Sequence, residues 1–298
     1  GGLAQVVMLP PASFTLGFRW RWVWRDPAAS EMGQGSITTL TQMAADALDL
    51  PCDWIEVATP DTRSVPDSGP TVASRTCMIV GGLLHRAALE LKAAAAAELG
   101  GRPPKSRADL LRAAAALCGG KPERRFSAEY QKPEGLEFDD VLYRGDAYGT
   151  YGYACVAVDI EIDKTSYELT VRKLWTASDA GKAINPKIVS GQIIGGTVQA
   201  LGWALLENPV YKAGIMQNPQ LTNYIIPTAM DVPPIVVDIV EDAYSRGPFG
   251  AKGVGEMPMD APAPALAAAV HHATGVLLTR LPLLPERIAA AMREAGKA

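Results

Sequence analysis

The chain has 298 residues, 48% of them apolar, and a formal net charge of −4 at neutral pH. This much apolar sequence is enough to form a large folded core. A slightly acidic chain has no basic field with which to hold nucleic acid or an anionic membrane. No long, continuously apolar stretch and no export signal are present, so we expect a cytoplasmic protein without a membrane-spanning helix.

Cysteine and histidine spacing gives no sign of a metal site. The cysteines are Cys52, Cys77, Cys118 and Cys155. They follow neither the paired spacing of a zinc site nor that of an iron–sulfur cluster, so we expect reduced thiols with structural roles. The histidines are His85, His271 and His272. They also lack ligand spacing, and the sequence therefore predicts no metal held by protein side chains.

The first half of the chain is predicted to be mainly helical. Aromatic and basic residues alternate over 18–25, which is typical of a strand with one heavy face. From Thr38 onward the apolar residues fall at the spacing of an amphipathic helix. A short strand at 54–58 and helices at 72–99 and 108–118 follow.

The second half begins after a polar, turn-rich segment, 121–150, that we interpret as a connection. The predicted elements are then a β-hairpin at 153–162 and 167–172, a helix at 185–207 that begins at Asn185-Pro186, a strand at 235–240, and helices at 261–272 and 285–294. This pattern predicts an α+β fold with two consecutive lobes, 1–145 and 146–298.

Two glycine-bearing segments precede predicted helices. The first holds Gly33, Gln34, Gly35 and Ser36, and the second holds Ala73, Ser74, Arg75 and Thr76 after Gly69 and Pro70. Backbone amides at a helix start have no intrahelical partner, so each segment is either a structural junction or a site for an anion. The Arg75 side chain can also pair with a phosphate or a carboxylate.

Two further segments combine glycines with functional side chains. Gly191, Gly195 and Gly196 lie near Gln192 inside a predicted helix, where each glycine costs about 1 kcal/mol relative to alanine. Either close packing or the approach of a ligand would explain that cost. Segment 250–256 of the second lobe contains three glycines, Lys252 and Glu256. Its carboxylate is either a general base held by a tight loop or a solvated group on a surface turn.

Five segments, in this order, resemble the successive motifs of one family. They are Glu31-Met32-Gly33-Gln34-Gly35, the stretch 69–76, Tyr151-Gly152-Tyr153 leading into 158–161, Asn185-Pro186 with Gly191-Gln192 and Gly195-Gly196, and Ala251-Lys252-Gly253-Val254-Gly255-Glu256. The family is the molybdenum-binding subunit of the xanthine dehydrogenases and aldehyde oxidases. The resemblance runs from about Glu31 to the C-terminus, and its last motif is the most specific. It implies the two-lobed molybdopterin-binding fold of that family.

The resemblance also implies an activity. The chain would belong to an oxidoreductase, a molybdenum hydroxylase that oxidises an N-heterocycle or an aldehyde with oxygen derived from water. Glu256 matches the general base of the family. The pterin's dithiolene holds the metal, so no protein ligands are needed. The positions that match the family's molybdopterin contacts are Gly33, Gln34, Gly35, Ser36, Ala73, Ser74, Arg75, Thr76, Gln192, Lys252 and Gly253.

The chain departs from the family pattern in ways that imply partners. The family's molybdenum subunit is much longer, and its Phe-Arg-Gly loop has no match because Phe18-Arg19 is followed by Trp20. We therefore expect either the C-terminal half of a split subunit, with a second molybdenum-subunit chain supplying the rest, or a fragment of a full-length subunit. Iron–sulfur clusters and FAD would lie on further subunits of a heteromultimer, and the pterin would be molybdopterin or its cytosine dinucleotide.

A second hypothesis comes from a different class of protein. A noncatalytic assembly or cofactor-insertion protein could keep this fold while lacking half of the site. The presence of Glu256 favours the enzyme. The substrate cannot be identified from the sequence, because the residues that select it are expected on the second chain.

Overall fold

The structure, a computed structural model, describes residues 3–8, 22–24, 29–57, 61, 63, 65, 67–121, 123–139 and 141–297. The chain divides into two compact units. Unit 1 contains the described residues up to Tyr151 together with Gly181–Asn185 and Asp242–Gly253, and unit 2 contains Gly152–Ala180, Pro186–Glu241 and the described residues from Val254. The units are interleaved rather than consecutive, because the chain leaves unit 2 twice to add short segments to unit 1.

Three helices form most of unit 1. They are α1 (Ser36–Leu48), α2 (Gly81–Glu98) and α3 (Arg107–Cys118), and α2 packs against both of the others. The apolar positions that predict α1 are all buried, among them Leu40 and Met43. The amphipathic spacing therefore identified the face that α1 turns to the core of this unit.

Short strand pairs complete unit 1. They are β1 (Leu3–Met8) antiparallel to β4 (Arg124–Glu129), β2 (Trp22–Trp24) parallel to β3 (Ile55–Val57), and the pair β5 (Phe138–Asp139) and β6 (Arg144–Gly145). Of the strand predicted at 18–25, Trp22–Trp24 is confirmed and the rest lies outside the described residues. Strand β4 corrects the interpretation of 121–150 as a plain connection, because Phe126 and Ala128 alternate inward to the core.

Helix α2 begins later than the sequence predicts. The predicted start at Val72 is wrong, because Ala73 and Ser74 have left-handed backbone angles with φ of 52°. A π-helical turn, Thr76–Val80, follows them and leads directly into α2. Left-handed residues cannot continue a right-handed helix, so the residues before Thr76 form a loop.

Unit 2 is a three-stranded sheet covered by helices. Its elements are β7 (Ala154–Ile162), β8 (Leu169–Asp179), α4 (Pro186–Leu205), β9 (Tyr211–Lys212), β10 (Ile215–Met216), β11 (Ile235–Val240), α5 (Met257–Asp260), α6 (Pro262–Thr274) and α7 (Pro285–Glu294). The sheet order is β11–β8–β7. The β7/β8 hairpin is antiparallel as predicted, and β11 is parallel to β8. Parallel neighbours need a crossover, which α4 provides.

The core of unit 2 lies between the inner face of the sheet and its helices. Its fully buried side chains include Leu174 of β8, Leu266 of α6 and Ile288 of α7. Among the described residues, α4 is the helix with the length and composition of a membrane span, and a third of its apolar window is buried. Core helices have the same composition, and Leu201 and Ala204 of α4 belong to this core.

All four cysteines are free thiols in the structure. Cys118 is buried in the core of unit 1. Cys77 lies in the π-helical turn, and burial raises its pKa to about 12. A thiol with so high a pKa carries almost no thiolate at neutral pH and is a poor nucleophile.

One carboxylate anchors the start of α3. Asp109 accepts hydrogen bonds from both terminal nitrogens of Arg102, at 2.7 and 2.9 Å, and from the backbone amide of Lys105 at 3.1 Å. It also pairs with Arg112. The two hydrogen bonds from Arg102, then that from Lys105, hold the pKa of Asp109 well below its usual range.

We predict that Asp109→Asn lowers the melting temperature at neutral pH, because the amide cannot replace the carboxylate beside two guanidinium groups. A lowered pKa stabilises the fold at pH values above the unfolded-state pKa of about 3.9, and this contribution fades as the pH falls below it. Thermal unfolding from pH 7 to pH 2.5 should therefore show a shrinking difference from the wild type. Asp53→Asn, at an exposed position, serves as the control; an equal effect there would contradict the assignment.

Candidate functional site

The loop before α1 is held together by a carboxylate of its own. Glu31 accepts hydrogen bonds from the backbone amides of Gly33 (2.8 Å), Gly35 (3.1 Å) and Ile37 (3.0 Å). The sequence indicates either a structural junction or a site for a ligand's anion at these amides, and in the structure the anion that they bind is Glu31. Burial raises the pKa of Glu31, but the backbone hydrogen bonds outweigh it and leave that pKa below its usual value.

Gln34 takes part in the same loop through both ends of its side-chain amide. Its Nε2 donates to the carbonyl of Ser30 and to the hydroxyl of Ser36, both at 2.6 Å, and its Oε1 accepts from the backbone amide of Met32 at 2.8 Å. Gly33 borders open space: apart from its chain neighbours, no described residue has an atom within 4 Å of the place where a side chain would start. A ligand can therefore approach the main chain at Gly33.

The second loop, 68–76, is folded around the guanidinium of Arg75. Its Nη1 donates to the carbonyls of Ser68 (2.8 Å) and Pro70 (3.0 Å). Gly69 has a φ of 76°, and a Cβ atom there would lie 2.9 Å from this same nitrogen. Nη1 of Arg75 thus binds loop carbonyls rather than the anion that the sequence predicts.

Two further features of this loop are significant for ligand binding. Ser68 is fully buried, and its hydroxyl has no hydrogen-bond partner among the residues that the structure describes. Buried polar groups without partners are uncommon in folded proteins, so this one is notable. The loop is also joined to the first one, because the backbone amide of Ser30 donates to the hydroxyl of Thr71 at 2.9 Å.

Backbone strain is concentrated where the second loop meets α2. Ala73 and Ser74 are consecutive non-glycine residues in the left-handed region, a conformation that costs about 1 kcal/mol or more at each position. The π-helical turn Thr76–Val80 follows at once. Strained residues and π-helical turns both occur preferentially at functional sites. The backbone conformation alone therefore indicates that 73–76 is a candidate functional site.

The third loop, 242–253, reaches the strained residues through a glycine. A Cβ atom on Gly253 would overlap the carbonyl oxygen of Ser74, so a larger residue cannot occupy this position without displacing the backbone. The preceding residue, Lys252, is buried, and its Nζ lies 2.9 Å from Oδ2 of Asp242. The loop thus carries a buried positive charge next to its contact with Ser74.

Unit 1 therefore brings together three sequence-distant loops. The Ser30–Thr71 hydrogen bond joins the first to the second, and the Gly253–Ser74 contact joins the second to the third. The predicted site residues on these loops are Gly33, Gln34, Gly35, Ser36, Ala73, Ser74, Arg75, Thr76, Lys252 and Gly253.

The two remaining site residues belong to unit 2. Gln192 is half-buried on α4, and Glu256 is exposed directly before α5. Helices α4 and α5 pack closely against each other. A Cβ atom added to Gly196, one turn after Gln192, would lie only 2.9 Å from the Cβ atom of Pro258. Packing therefore accounts for Gly196. Gly191 and Gly195 border open space instead.

Several residues that shape these loops are not identified by their sequence patterns. Glu31 lies in a recognised motif, but the motif does not reveal that its carboxylate binds the amides of Gly33, Gly35 and Ile37. No pattern assigned a role to Ser68 or Asp242. Asp242 lies two residues after the end of β11, and functional side chains are common just beyond the carboxyl ends of strands, so this was the available signal. No local pattern distinguishes the buried hydroxyl of Ser68.

Strained and glycine-rich loops gathered on an α+β scaffold are typical of a domain that binds a cofactor largely through its main chain. Among the described residues, no three His, Cys, Asp or Glu side chains are grouped as metal ligands. The family model of the molybdopterin cofactor-binding domain matches residues 27–233, more than half of the chain. The chain belongs to this family, and the predicted fold class is confirmed.

Curated relatives and solved structures are similar to this chain in sequence and in fold. A putative xanthine dehydrogenase molybdenum-binding subunit from Escherichia coli is 30% identical over 87% of this chain and 36% of its own length. Subunit gamma of the 6-hydroxypseudooxynicotine dehydrogenase complex from Paenarthrobacter nicotinovorans is 31% identical over 87% of this chain and 34% of its own length. The aldehyde oxidoreductase structure from Desulfovibrio gigas superposes with a TM-score of 0.80 at 25% identity, covering 98% of this chain and 30% of that one. The chain thus spans about a third of the length of these relatives.

We predict that Gly253→Ala destabilises the fold by about 1–3 kcal/mol, the usual cost of forcing extra atoms into a packed site. The Cβ atom meets the backbone carbonyl of Ser74, which cannot rotate away as a side chain would. Urea unfolding measures the change. Gly195→Ala is the matched control, because its Cβ enters open space on a helix and should be neutral or slightly stabilising. Equal stability of the Gly253 variant and the wild type would contradict the contact.

Proposed function

We propose that the chain is the cofactor-holding portion of the catalytic molybdenum subunit in a multi-subunit hydroxylase or dehydrogenase. The enzyme would oxidise an N-heterocycle or an aldehyde with oxygen derived from water. The observation that carries this proposal is the close contact of Gly253 with the carbonyl of Ser74. It fixes the segment that leads to Glu256 against the strained loop. The named activities of the relatives from Escherichia coli, P. nicotinovorans and D. gigas support the same reaction class.

The loops of unit 1 fit a large, polar, phosphate-bearing pterin in three respects. Gly33 leaves the backbone open to approach, the buried hydroxyl of Ser68 lacks a partner, and Lys252 contributes a buried cation. We therefore propose that these loops hold molybdopterin, either as such or as its cytosine dinucleotide. Gln192 of α4 is a further proposed cofactor contact, because its motif matches that of the family. Glu31 and Arg75 would act partly by holding the loops in shape.

Glu256 is the proposed general base. Its carboxylate is exposed immediately before α5, and the backbone amide of Met259 donates to the Glu256 carbonyl at 2.9 Å, which fixes the turn. When bound, the cofactor supplies the two-electron oxidation. Glu256 would accept the proton that the water-derived oxygen releases as it attacks an electron-poor carbon of the substrate.

We propose that partner subunits carry electrons out of the site. We propose a cytoplasmic heteromultimer in which a second molybdenum-subunit chain completes the site and selects the small-molecule substrate. An iron–sulfur subunit and a flavin subunit would carry the electrons onward. The name of the P. nicotinovorans relative, a subunit of a dehydrogenase complex, supports assembly with other subunits.

We predict that Glu256→Gln leaves the molybdenum and pterin content of the purified complex nearly unchanged while turnover falls by about 10²- to 10⁴-fold, the usual contribution of a general base. Glutamine keeps the size of the side chain but cannot accept a proton at neutral pH. Steady-state kinetics on heterocycle and aldehyde substrates, with molybdenum quantified in the same samples, measures both quantities.

Glu168→Gln is the matched control, because Glu168 is exposed in the turn between β7 and β8. Its turnover should equal that of the wild type. A loaded Glu256→Gln complex that turns over at more than about a tenth of the normal rate would rule out the base. A wild-type complex without molybdenum would instead favour the assembly or cofactor-insertion protein.

We predict that Gln34→Ala and Arg75→Ala each reduce the molybdenum and pterin content of the complex, because both side chains organise the loops proposed to hold the cofactor. Metal analysis and pterin fluorescence measure the content. Arg280→Ala, at an exposed position remote in sequence from these loops, is the control. Full cofactor occupancy in both variants would show that the two loops are purely structural.

A further inference from the structure

Unit 2 carries an ordered segment with an unusually apolar surface. This apolar segment consists of residues 208–231 and contains β9 and β10. Seven large apolar side chains in it are exposed, and for three of them the exposed fraction is 68% (Ile215), 72% (Leu221) and 92% (Met230). The others are Val210, Tyr211, Ile225 and Ile226. Single exposed apolar residues are ordinary, but such a concentration within 24 residues marks an interaction surface.

The backbone of the apolar segment is fixed by its own polar side chains. Asn218 accepts a hydrogen bond from the amide of Val210 at 2.9 Å and donates to the carbonyls of Asn208 and Asn223 at 3.0 and 3.3 Å. These bonds pair three main-chain groups of the segment within the segment itself and hold its backbone in place. The surface is therefore built into the fold before any partner binds.

The segment is also attached to the end of α4. The hydroxyl of Tyr224 donates to Glu207 at 2.6 Å, and a Cβ atom on Gly202 would lie 2.6 Å from Cδ of Pro227. Trp203, beside Gly202 on α4, is itself about half exposed. The absence of a side chain at Gly202 lets the segment lie directly against the helix.

Charge limits the kind of partner that fits. Lys212 and Asp231 are the two charged residues among 208–231, so the segment offers no cluster of charge to nucleic acid or to an anionic lipid surface. An uncharged, apolar protein surface is the matching partner, since interface cores are poor in charged residues and rich in aromatic and aliphatic ones.

The lengths of the relatives indicate which protein supplies that surface. This chain spans 36% of the Escherichia coli molybdenum-binding subunit and 30% of the D. gigas aldehyde oxidoreductase chain. In each relative, the matching portion is therefore accompanied by a larger amount of protein. We infer that the apolar segment is the docking surface for the second molybdenum-subunit chain, the one that corresponds to the portion of these relatives that this chain does not span. This inference rests on the proposed function, which supplies the partner.

The test uses the complex purified through a tag on this chain from the organism that makes it. The probe is the co-purifying chain whose peptides align with the unspanned portion of the molybdenum-binding relatives. Leu221→Glu and Ile215→Glu should each lower the ratio of that chain to the tagged chain at least about tenfold, because a charge would be buried in an apolar interface. Leu277→Glu is the matched control at a 65% exposed leucine of the same unit and should change the ratio less than about twofold. The substituted side chains are exposed, so the melting temperatures of the variants should match that of the wild type.

Hydrogen exchange gives a second measurement that does not depend on substitution. Amides of the apolar segment should exchange more slowly in the wild-type complex than in the isolated chain. An unchanged ratio in both glutamate variants, or a complex that lacks such a second chain, would overturn the inference.

Two other occupants give results that would also overturn it. A dimer of the tagged chain that Leu221→Glu dissociates, seen by light scattering, would mean that a second copy covers the surface. Sedimentation with phosphatidylcholine and phosphatidylglycerol vesicles that Leu221→Glu abolishes would mean that a membrane does. Molybdenum and pterin content is measured in the same complex. A cofactor-free complex refutes the proposed function, whereas a loaded complex that is insensitive to the glutamate substitutions refutes only the docking surface.

Discussion

The contact between Gly253 and the carbonyl of Ser74 constrains the rest of the candidate site. Because a side chain at Gly253 would overlap that oxygen, the third loop can lie against the second only with glycine at this position. Ser74 in turn presents its carbonyl from a left-handed backbone that it shares with Ala73. Because of this strained pair, helical structure begins only at the π-helical turn Thr76–Val80, which leads into α2. One backbone contact thus links the loop position, the strain and the helix start.

Much of the polar chemistry of unit 1 serves the loops themselves. The carboxylate of Glu31 occupies backbone amides that would otherwise attract a ligand's anion, and Arg75 and Gln34 bind carbonyls of their own loops. Loops held in this way lose little further conformational freedom when a ligand binds, so more of the binding free energy remains as affinity. The buried Ser68 hydroxyl, which has no partner, is the exception among these satisfied groups.

Helix α4 has one face in the core of unit 2 and another that is partly exposed, and its apolar composition does not distinguish the two faces. One face packs Leu201 and Ala204 into the core of unit 2, while Trp203 remains about half exposed. Its interior glycines differ in the same way, since Gly196 packs against Pro258 and Gly195 borders open space. Uniform apolarity around a helix is expected when both of its faces are buried in a larger assembly. The exposed faces of α4 and of the apolar segment are consistent with such an assembly.

The sequence by itself determined the elements whose signals are local. Periodicity located α1 and its buried face, the β7/β8 hairpin and β11, and the order of glycine motifs identified the molybdopterin-binding family. Tertiary structure decided the pairing of β4 with β1 and the contact of Gly253 with Ser74. The start of α2 and the hydrogen bonds of loop amides to Glu31 involve near neighbours in sequence, but periodicity carries no signal for them. The periods of helices and strands repeat within a few neighbouring residues, so a short stretch of sequence is enough to detect them. A glycine's contact with a distant carbonyl depends instead on how the whole chain folds, and no local window contains both partners.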